Sequence, residues 1–288
     1  MRALAEKAEV LACTAAQNQF PVLLRPIADR RKVTCVEFRP LLVDAMLTTH
    51  SSGFRILFNS DGSNPEQLRQ DFEGESRDRL MPSRLRFSLA HELAHTFFYD
   101  LADSPPKVTK EFRSGGGKTE LENLERNCDR LAARMLLPTQ ILKASIQKMS
   151  SLDSLSLLQL ASQAGVSIEA LIRRIGDTNL LRQKYFKGCI ILVEQSEDGF
   201  KNVAIAKPSL LNIAKDLQML HPGEKWQLAA VDRGDVIPSE LSGLSLLKLD
   251  VETTQGSTEQ KDYKITLAQA GNRFSANRFL MTFEEVES

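Results

Sequence analysis

The sequence predicts an α+β protein in three parts: a first domain over residues 1–150, a helical segment over 151–185, and an α+β domain over 186–288. Three observations carry that prediction. In the first half, two short β-branched and aromatic runs precede two long amphipathic helical patterns. In the middle, a pair of shorter helical patterns meets at a glycine. After about residue 186 the texture changes to short strand-like runs separated by turns. Strands and helices segregated in this way read as α+β, and 288 residues are enough for two hydrophobic cores.

Residues 2–17 read as an amphipathic helix, with Glu6 and Glu9 among its apolar positions, and not as a signal peptide. "KVTCVEF" (32–38) and "FRILFN" (54–59) are bounded by turn residues and read as strands. Residues 60–79 are polar and rich in turn signals, a loop or a short exposed helix. The next helix starts near Pro82 and Ser83, a proline with a capping residue beside it. "DSPPKVTKEFRSGGGKTE" (103–120) excludes a regular element through most of its length, and a loop this long is a candidate lid. It lacks the glycine spacing and the preceding strand of a phosphate-binding loop.

Residues 119–137 form the second long helix, stopped by Pro138, with Leu121, Leu124, Cys128, Leu131 and Met135 as its expected buried stripe. A further helix covers 139–149. "SLSLLQLASQAGVSIEALIRRI" then has the look of a helix-turn-helix, with Gly165 in the turn, Ser167 as N-cap, and Arg173 and Arg174 near its end. It reads as a DNA or repressor contact or as a pair packed on the first domain. Beyond residue 186, "GCIILVEQ", "VAIAK", "WQLAAVD", "LSLLKLDVETT", "YKITLAQ" and "RFLMTFEEV" read as strands, and "LLNIAKDLQML" as a helix.

Lysine plus arginine (37) equals aspartate plus glutamate (37), which argues against a protein built mainly to grip nucleic acid and leaves room for a local basic patch. The cysteines at 13, 35, 128 and 189 form no C-x-x-C pair and suit a reducing compartment. No window approaches the ~20 apolar residues of a membrane span. A cytoplasmic protein without membrane contact is expected; the oligomeric state is left open.

The chemistry is concentrated in "RFSLAHELAHTFFYD" (86–100). Positions i and i+4 of a helix project from one face, so His91 and His95 can offer two nitrogens to one metal ion. Glu92 lies on the flank of that face, where a general base belongs. This is the division of labour in H-E-x-x-H zinc peptidases. The other reading is a core helix with two satisfied histidines. A third ligand must come from another element. His50 and His221 are candidates in turn-like contexts. On the helix 119–137, Glu125 as ligand and Asp129 as acceptor for a ligand histidine N–H explain two carboxylates beside a buried stripe. Glu122 is the rival ligand, and exposed pairing with Arg126 or Arg130 is the plain alternative. Cys128 is a ligand candidate or a small buried hydrophobe. Tyr99 is a candidate oxyanion donor or a cap on the helix end.

"RLRFSLAHELAHTFFYD", followed by "ERNCDRLAARMLLP", resembles the ImmA/IrrE family of metallopeptidases. The second stretch matches that family's pattern at Glu125, Cys128, Asp129, Ala132, Ala133, Leu136 and Pro138, and the resemblance extends over roughly residues 1–180. It implies a zincin-like domain, a small twisted sheet on two metal-bearing helices. It implies Zn2+ (with Mn2+ as the alternative in the cell) on His91, His95 and Glu125, with Glu92 catalytic and Asp129 behind the ligands. The implied substrate is a helix-turn-helix repressor, cut once to derepress stress or mobile-element genes. An N-terminal helix-turn-helix, present in some members, is missing, so a separately encoded repressor is expected. Some members carry a GAF-like sensor where residues 186–288 stand; an interaction domain is the other reading. A non-catalytic zinc-containing transcriptional regulator is the competing function, and Glu92 speaks against it, because a structural site needs no base.

Overall fold

The computed structural model describes residues 1–60, 64–109, 118–178, 180–183, 188–196, 199–206, 225–226, 245–252, 258–273 and 276–285. Over these residues the chain is α+β. It divides into two compact units, Met1–Ala144 with Ser162–Ser167, and Ser145–Ala161 with Ile168–Ser288.

In the first unit, α1 (Arg2–Ala16) buries Ala5, Ala8, Ala12 and Ala16, a stripe of small side chains at spacings of three and four. α2 (Arg25–Arg30) has Pro26 in its first turn. Three strands follow: β1 (Val33–Arg39), β2 (Ala45–His50) and β3 (Gly53–Asn59). Their order is β1-β3-β2, with β1 parallel and β2 antiparallel to β3. The central strand buries Phe54, Ile56, Leu57 and Phe58 on both of its faces. β2 is an edge strand with no residue fully buried. The sequence reading anticipated β1 and β3 but missed α2 and β2. An edge strand wet on both faces lacks the apolar alternation that marks a strand.

α3 (Pro65–Glu73) is capped by Asn64, whose side-chain oxygen accepts the Glu66 N–H at 3.0 Å. α4 (Ser83–His95) carries the H-E-x-x-H residues and buries Leu89, Ala90, Leu93 and Ala94. It gives way to a 3-10 turn, Thr96–Phe98, and to β4 (Tyr99–Asp100), which pairs with β5 (Lys107–Val108). Arg31 explains this stop. Its buried guanidinium donates to the Thr96 carbonyl at 2.6 Å and to Thr96 Oγ1 at 3.0 Å, and lies over the Phe97 ring. Tyr99 is therefore not on the α4 helix, as its spacing from His95 suggested.

α5 (Lys118–Leu136) ends before Pro138, and α6 (Thr139–Lys148) follows. α4 packs on α5, which buries Cys128, Leu131, Ala132, Met135 and Leu136. Leu121 does not join this stripe; it is 59% exposed, because the buried part of α5 begins only at Cys128.

The side chain of Arg86 on α4 is completely buried. It pairs with Glu75 and donates to the carbonyls of Val22 (2.8 Å) and Gly165 (3.1 Å). Gly165 has φ +65°, and a Cβ there would stand 2.8 Å from the Arg86 Nε. Only glycine fits. The glycine read as a helix-turn-helix turn is thus a docking point for a buried arginine within the first unit.

Most of α7 (Ser154–Ala164), through Ala161, and all of α8 (Ile168–Thr178) lie in the second unit, the two helices meeting at 101°, and α9 (Leu180–Gln183) follows. Six antiparallel strands are described: β6 (Gly188–Ser196), β7 (Gly199–Ala206), β8 (Lys225–Trp226), β9 (Ser245–Glu252), β10 (Thr258–Arg273) and β11 (Ala276–Glu285), in the order β8-β7-β6-β11-β10-β9. α8 packs on β6 and β7. Arg173 pairs with Glu169 and donates to the Val203 carbonyl at 2.9 Å, and Arg174 is buried. Arg173 of the helix-turn-helix-like segment is thus engaged inside this unit, and the Arg174 side chain is withdrawn from solvent. The helical pattern at 210–220, most of "WQLAAVD", His221 and the glycines at 115–117 lie outside the described residues. Among the described residues no single helix is long and apolar enough to cross a membrane.

Candidate metal centre

The four-residue spacing of His91 and His95 places both rings on one face of α4, with centroids 5.0 Å apart. α5 supplies the opposite wall. His95 Nε2 lies 3.2 Å from His91 Nε2, and Glu125 Oε2 lies 3.0 Å from the first ring's partner atom on His91 and 3.6 Å from that on His95. Three potential ligand atoms therefore form a triangle with edges of 3.0, 3.2 and 3.6 Å. Ligands at about 2.0–2.1 Å from a tetrahedral ion stand about 3.3 Å apart. The spacing suits one divalent cation of that size. His91, Glu92 and His95 also form a group whose ligand-capable atoms lie within 4.8 Å of one another.

The protons on the rings make the same point. Asp129 Oδ1 lies 2.9 Å from His91 Nδ1. An ionised carboxylate only accepts, so the ring nitrogen donates, and Nε2 of a neutral His91 is left with a bare lone pair. That lone pair faces the Glu125 oxygen. The contact is repulsive unless a positive charge sits there, either a second proton on His91 or a metal ion. Burial opposes charge on His91, but the hydrogen bond to Asp129 and the carboxylates of Glu92, Asp129 and Glu125 outweigh it and raise its pKa. Burial, helped by the adjacent His91, lowers the pKa of His95. Burial and the charge of Glu125 push Glu92 up to about 7.

Glu92 lies by the Leu47 backbone on β2, which works against that rise. It stands in a cleft of about 540 Å³ with His91, His95, Glu125 and Tyr99 on its walls. Val43, Ala45, Met46 and Leu47 of the β1–β2 region and Phe87 of α4 complete the lining. Tyr99 meets Phe54 edge-to-face with centroids 5.1 Å apart, and burial raises its hydroxyl pKa.

The other sequence candidates stand elsewhere. His50 Nε2 is 2.6 Å from Thr34 Oγ1, and Glu122 forms an exposed pair with Arg126 at 3.8 Å. Cys128 is fully buried, with its sulfur 3.4 Å from His95 Nδ1, a contact the sequence reading missed. The role of β2 as a cleft wall was missed as well. Thr48 and Thr49 ahead of a Ser-Ser-Gly turn were the signal for it, a β-branched pair leading into a hairpin.

Residues 77–176 match the family model of the IrrE N-terminal-like domain, a peptidase family. No curated protein matches the chain. A solved structure, a Mycobacterium tuberculosis transcriptional regulator, aligns at 11% identity over 99% of this chain and 89% of that one, with a TM-score of 0.49. That likeness is too weak to assign fold or function.

Proposed function

We propose, from the premise that the chain belongs through residues 77–176 to the IrrE N-terminal-like peptidase family, that it is a zinc-dependent endopeptidase acting on a regulatory protein. The observation that carries this reading is the convergence of His91 Nε2, His95 Nε2 and Glu125 Oε2 at 3.0–3.6 Å beside a buried carboxylate in an open cleft.

In this reading His91, His95 and Glu125 hold the ion, and Asp129 keeps the proton of His91 on Nδ1. Zinc, when bound, supplies Lewis acidity to the attacking water and to the scissile carbonyl. Glu92 takes the proton from the water and delivers it to the leaving amine. Its carboxylate stands in the cleft between the edge strand and the ligands. Tyr99, on the cleft wall, is the candidate donor to the oxyanion.

β2 supplies the substrate's track. The Asp44 carbonyl, one residue before β2, accepts the Asn59 N–H and so turns inward to β3, whereas the residues on either side of each inward one turn their backbone groups outward. Backbone groups two residues apart point the same way, so Ala45 and Leu47 present their edge to the cleft. An extended peptide pairs along such an edge.

The family resemblance supplies the substrate class, a helix-turn-helix repressor. Four widely spaced cysteines without a C-x-x-C pair suit a cytoplasmic setting. The antiparallel sheet of the second unit, faced by α8, supports a sensor or interaction domain, with a GAF-like sensor as the specific form. Since Arg173 is engaged within that unit and Arg174 is buried, the arrangement favours repressor cleavage over direct DNA binding by α8. The test is cleavage of a helix-turn-helix repressor encoded beside this protein. A single cut that needs zinc and stops on chelation is expected; a cut that survives complete metal removal would sink the reading.

A further inference from the structure

Two neighbouring residues of α5 stand behind the two histidines of α4. Asp129 meets Nδ1 of His91 at 2.9 Å, and the sulfur of Cys128 meets Nδ1 of His95 at 3.4 Å. Together with Glu125 they occupy positions i, i+3 and i+4, which one helix presents on one face. The inference that follows rests on the metal reading above. If Nε2 of His95 gives its lone pair to an ion, the ring's proton must sit on Nδ1. Among the described residues, the acceptor facing that proton is the Cys128 sulfur.

We propose that Cys128 is a positioning residue for His95: its sulfur accepts the Nδ1–H and holds the ring with Nε2 bare toward the metal site. Cys128 is not itself a ligand in this arrangement, because its sulfur addresses the nitrogen that Nε2 leaves free. Packing alone asks only for a small apolar side chain at this buried position. The sulfur adds an acceptor. A thiol sulfur accepts more weakly than a carboxylate, so His95 is the more loosely held of the two rings.

Ion binding by the full-length chain tests this, using Zn2+ alone in competition with a chelator and Co2+ alone as a spectroscopic probe. Cys128→Ala is expected to lower Zn2+ affinity about tenfold, the lower end for losing a partner of a ligand histidine. It should also shift the visible cobalt bands, because the His95 ring is free to turn. Cys128→Ser, which keeps an acceptor, should fall between Cys128→Ala and the native chain. Asp129→Ala should cost more than Cys128→Ala.

Native affinity and native cobalt bands in Cys128→Ala would overturn the proposal. So would an intense sulfur-to-cobalt charge-transfer band in the native chain, since that would make Cys128 a ligand. If Cys128→Ala fails to fold by circular dichroism, Cys128→Val, which fills the space without an acceptor, decides: shifted cobalt bands and weaker Zn2+ binding support the role, and unchanged bands and affinity overturn it. The wider reading fails separately. If the native chain binds neither ion, both ideas fall. If His95→Ala abolishes binding while Cys128→Ala leaves it intact, only the role of Cys128 falls.

Discussion

Two polar clusters are built on α4, five residues apart in sequence, and they are opposites. At Arg86, one guanidinium meets the Glu75 carboxylate and two backbone carbonyls, so every partner complements its charge. At His91, a ring already bonded to Asp129 turns its second nitrogen to the Glu125 carboxylate and to the nitrogen of His95. The first cluster is complete in itself. The second brings electron pairs together and needs an added positive charge. A self-sufficient polar cluster holds the fold, and a deficient one is poised to hold something else.

The largest effect expected from breaking this comparison is on catalysis. Glu92→Gln should leave bound zinc in place and cut the cleavage rate by about 10²–10⁴-fold, the range for losing a general acid–base group. Zinc content and rate, measured on one sample, check both halves. Breaking the complete cluster should instead cost stability. Arg86→Met leaves Glu75 buried without a counter-charge and should destabilise the first unit by about 3–5 kcal/mol in urea unfolding. Adding Glu75→Gln should recover only part of that, since the carbonyls of Val22 and Gly165 stay unpaired.

The deficient cluster should respond to its missing charge. Zinc at a hundredfold excess over its dissociation constant should stabilise the chain by about 2.7 kcal/mol. That gain should vanish with chelator and in His95→Ala, whereas the Arg86 cluster offers the ion nothing. The smallest effect calibrates an ordinary carboxylate outside both clusters. Asp153 accepts the Ser156 N–H at 2.8 Å at the start of α7. Burial works against its charge, but bonds from Ser151 and Ser156 hold its pKa below the usual value. Its contribution is therefore present above that usual value and is lost as pH falls through the lowered one. Asp153→Ala should cost about 1 kcal/mol at neutral pH, less in acid, with zinc binding unchanged. Urea titrations at two pH values would show it.

How much of this was legible depended on how local each feature is. His91, Glu92 and His95 lie within five residues, and helical periodicity alone puts the two rings on one face. Glu125 was harder: its place beside the buried stripe set it ahead of the rival Glu122, with exposed pairing as the plain alternative, and the family resemblance strengthened it. The packing of α4 on α5 puts Glu125 against the rings and turns Glu122 outward to Arg126. Tyr99 reached the cleft by a route that spacing did not predict, after Arg31 drew the chain out of the helix at Thr96. β2 went unread because its two faces are both half wet, yet it supplies one wall of the cleft.

By itself, then, the sequence determined what one helix or one strand can express: the α+β class, the face of α4 that carries His91 and His95, and the buried residues of β3. Only the tertiary structure decided which carboxylate faces the histidines, what holds each ring, and which strand edge lines the site. Periodicity records how a residue sits on its own element. The deficient charge of this site arises between elements, where burial brings like groups together that water would otherwise keep apart.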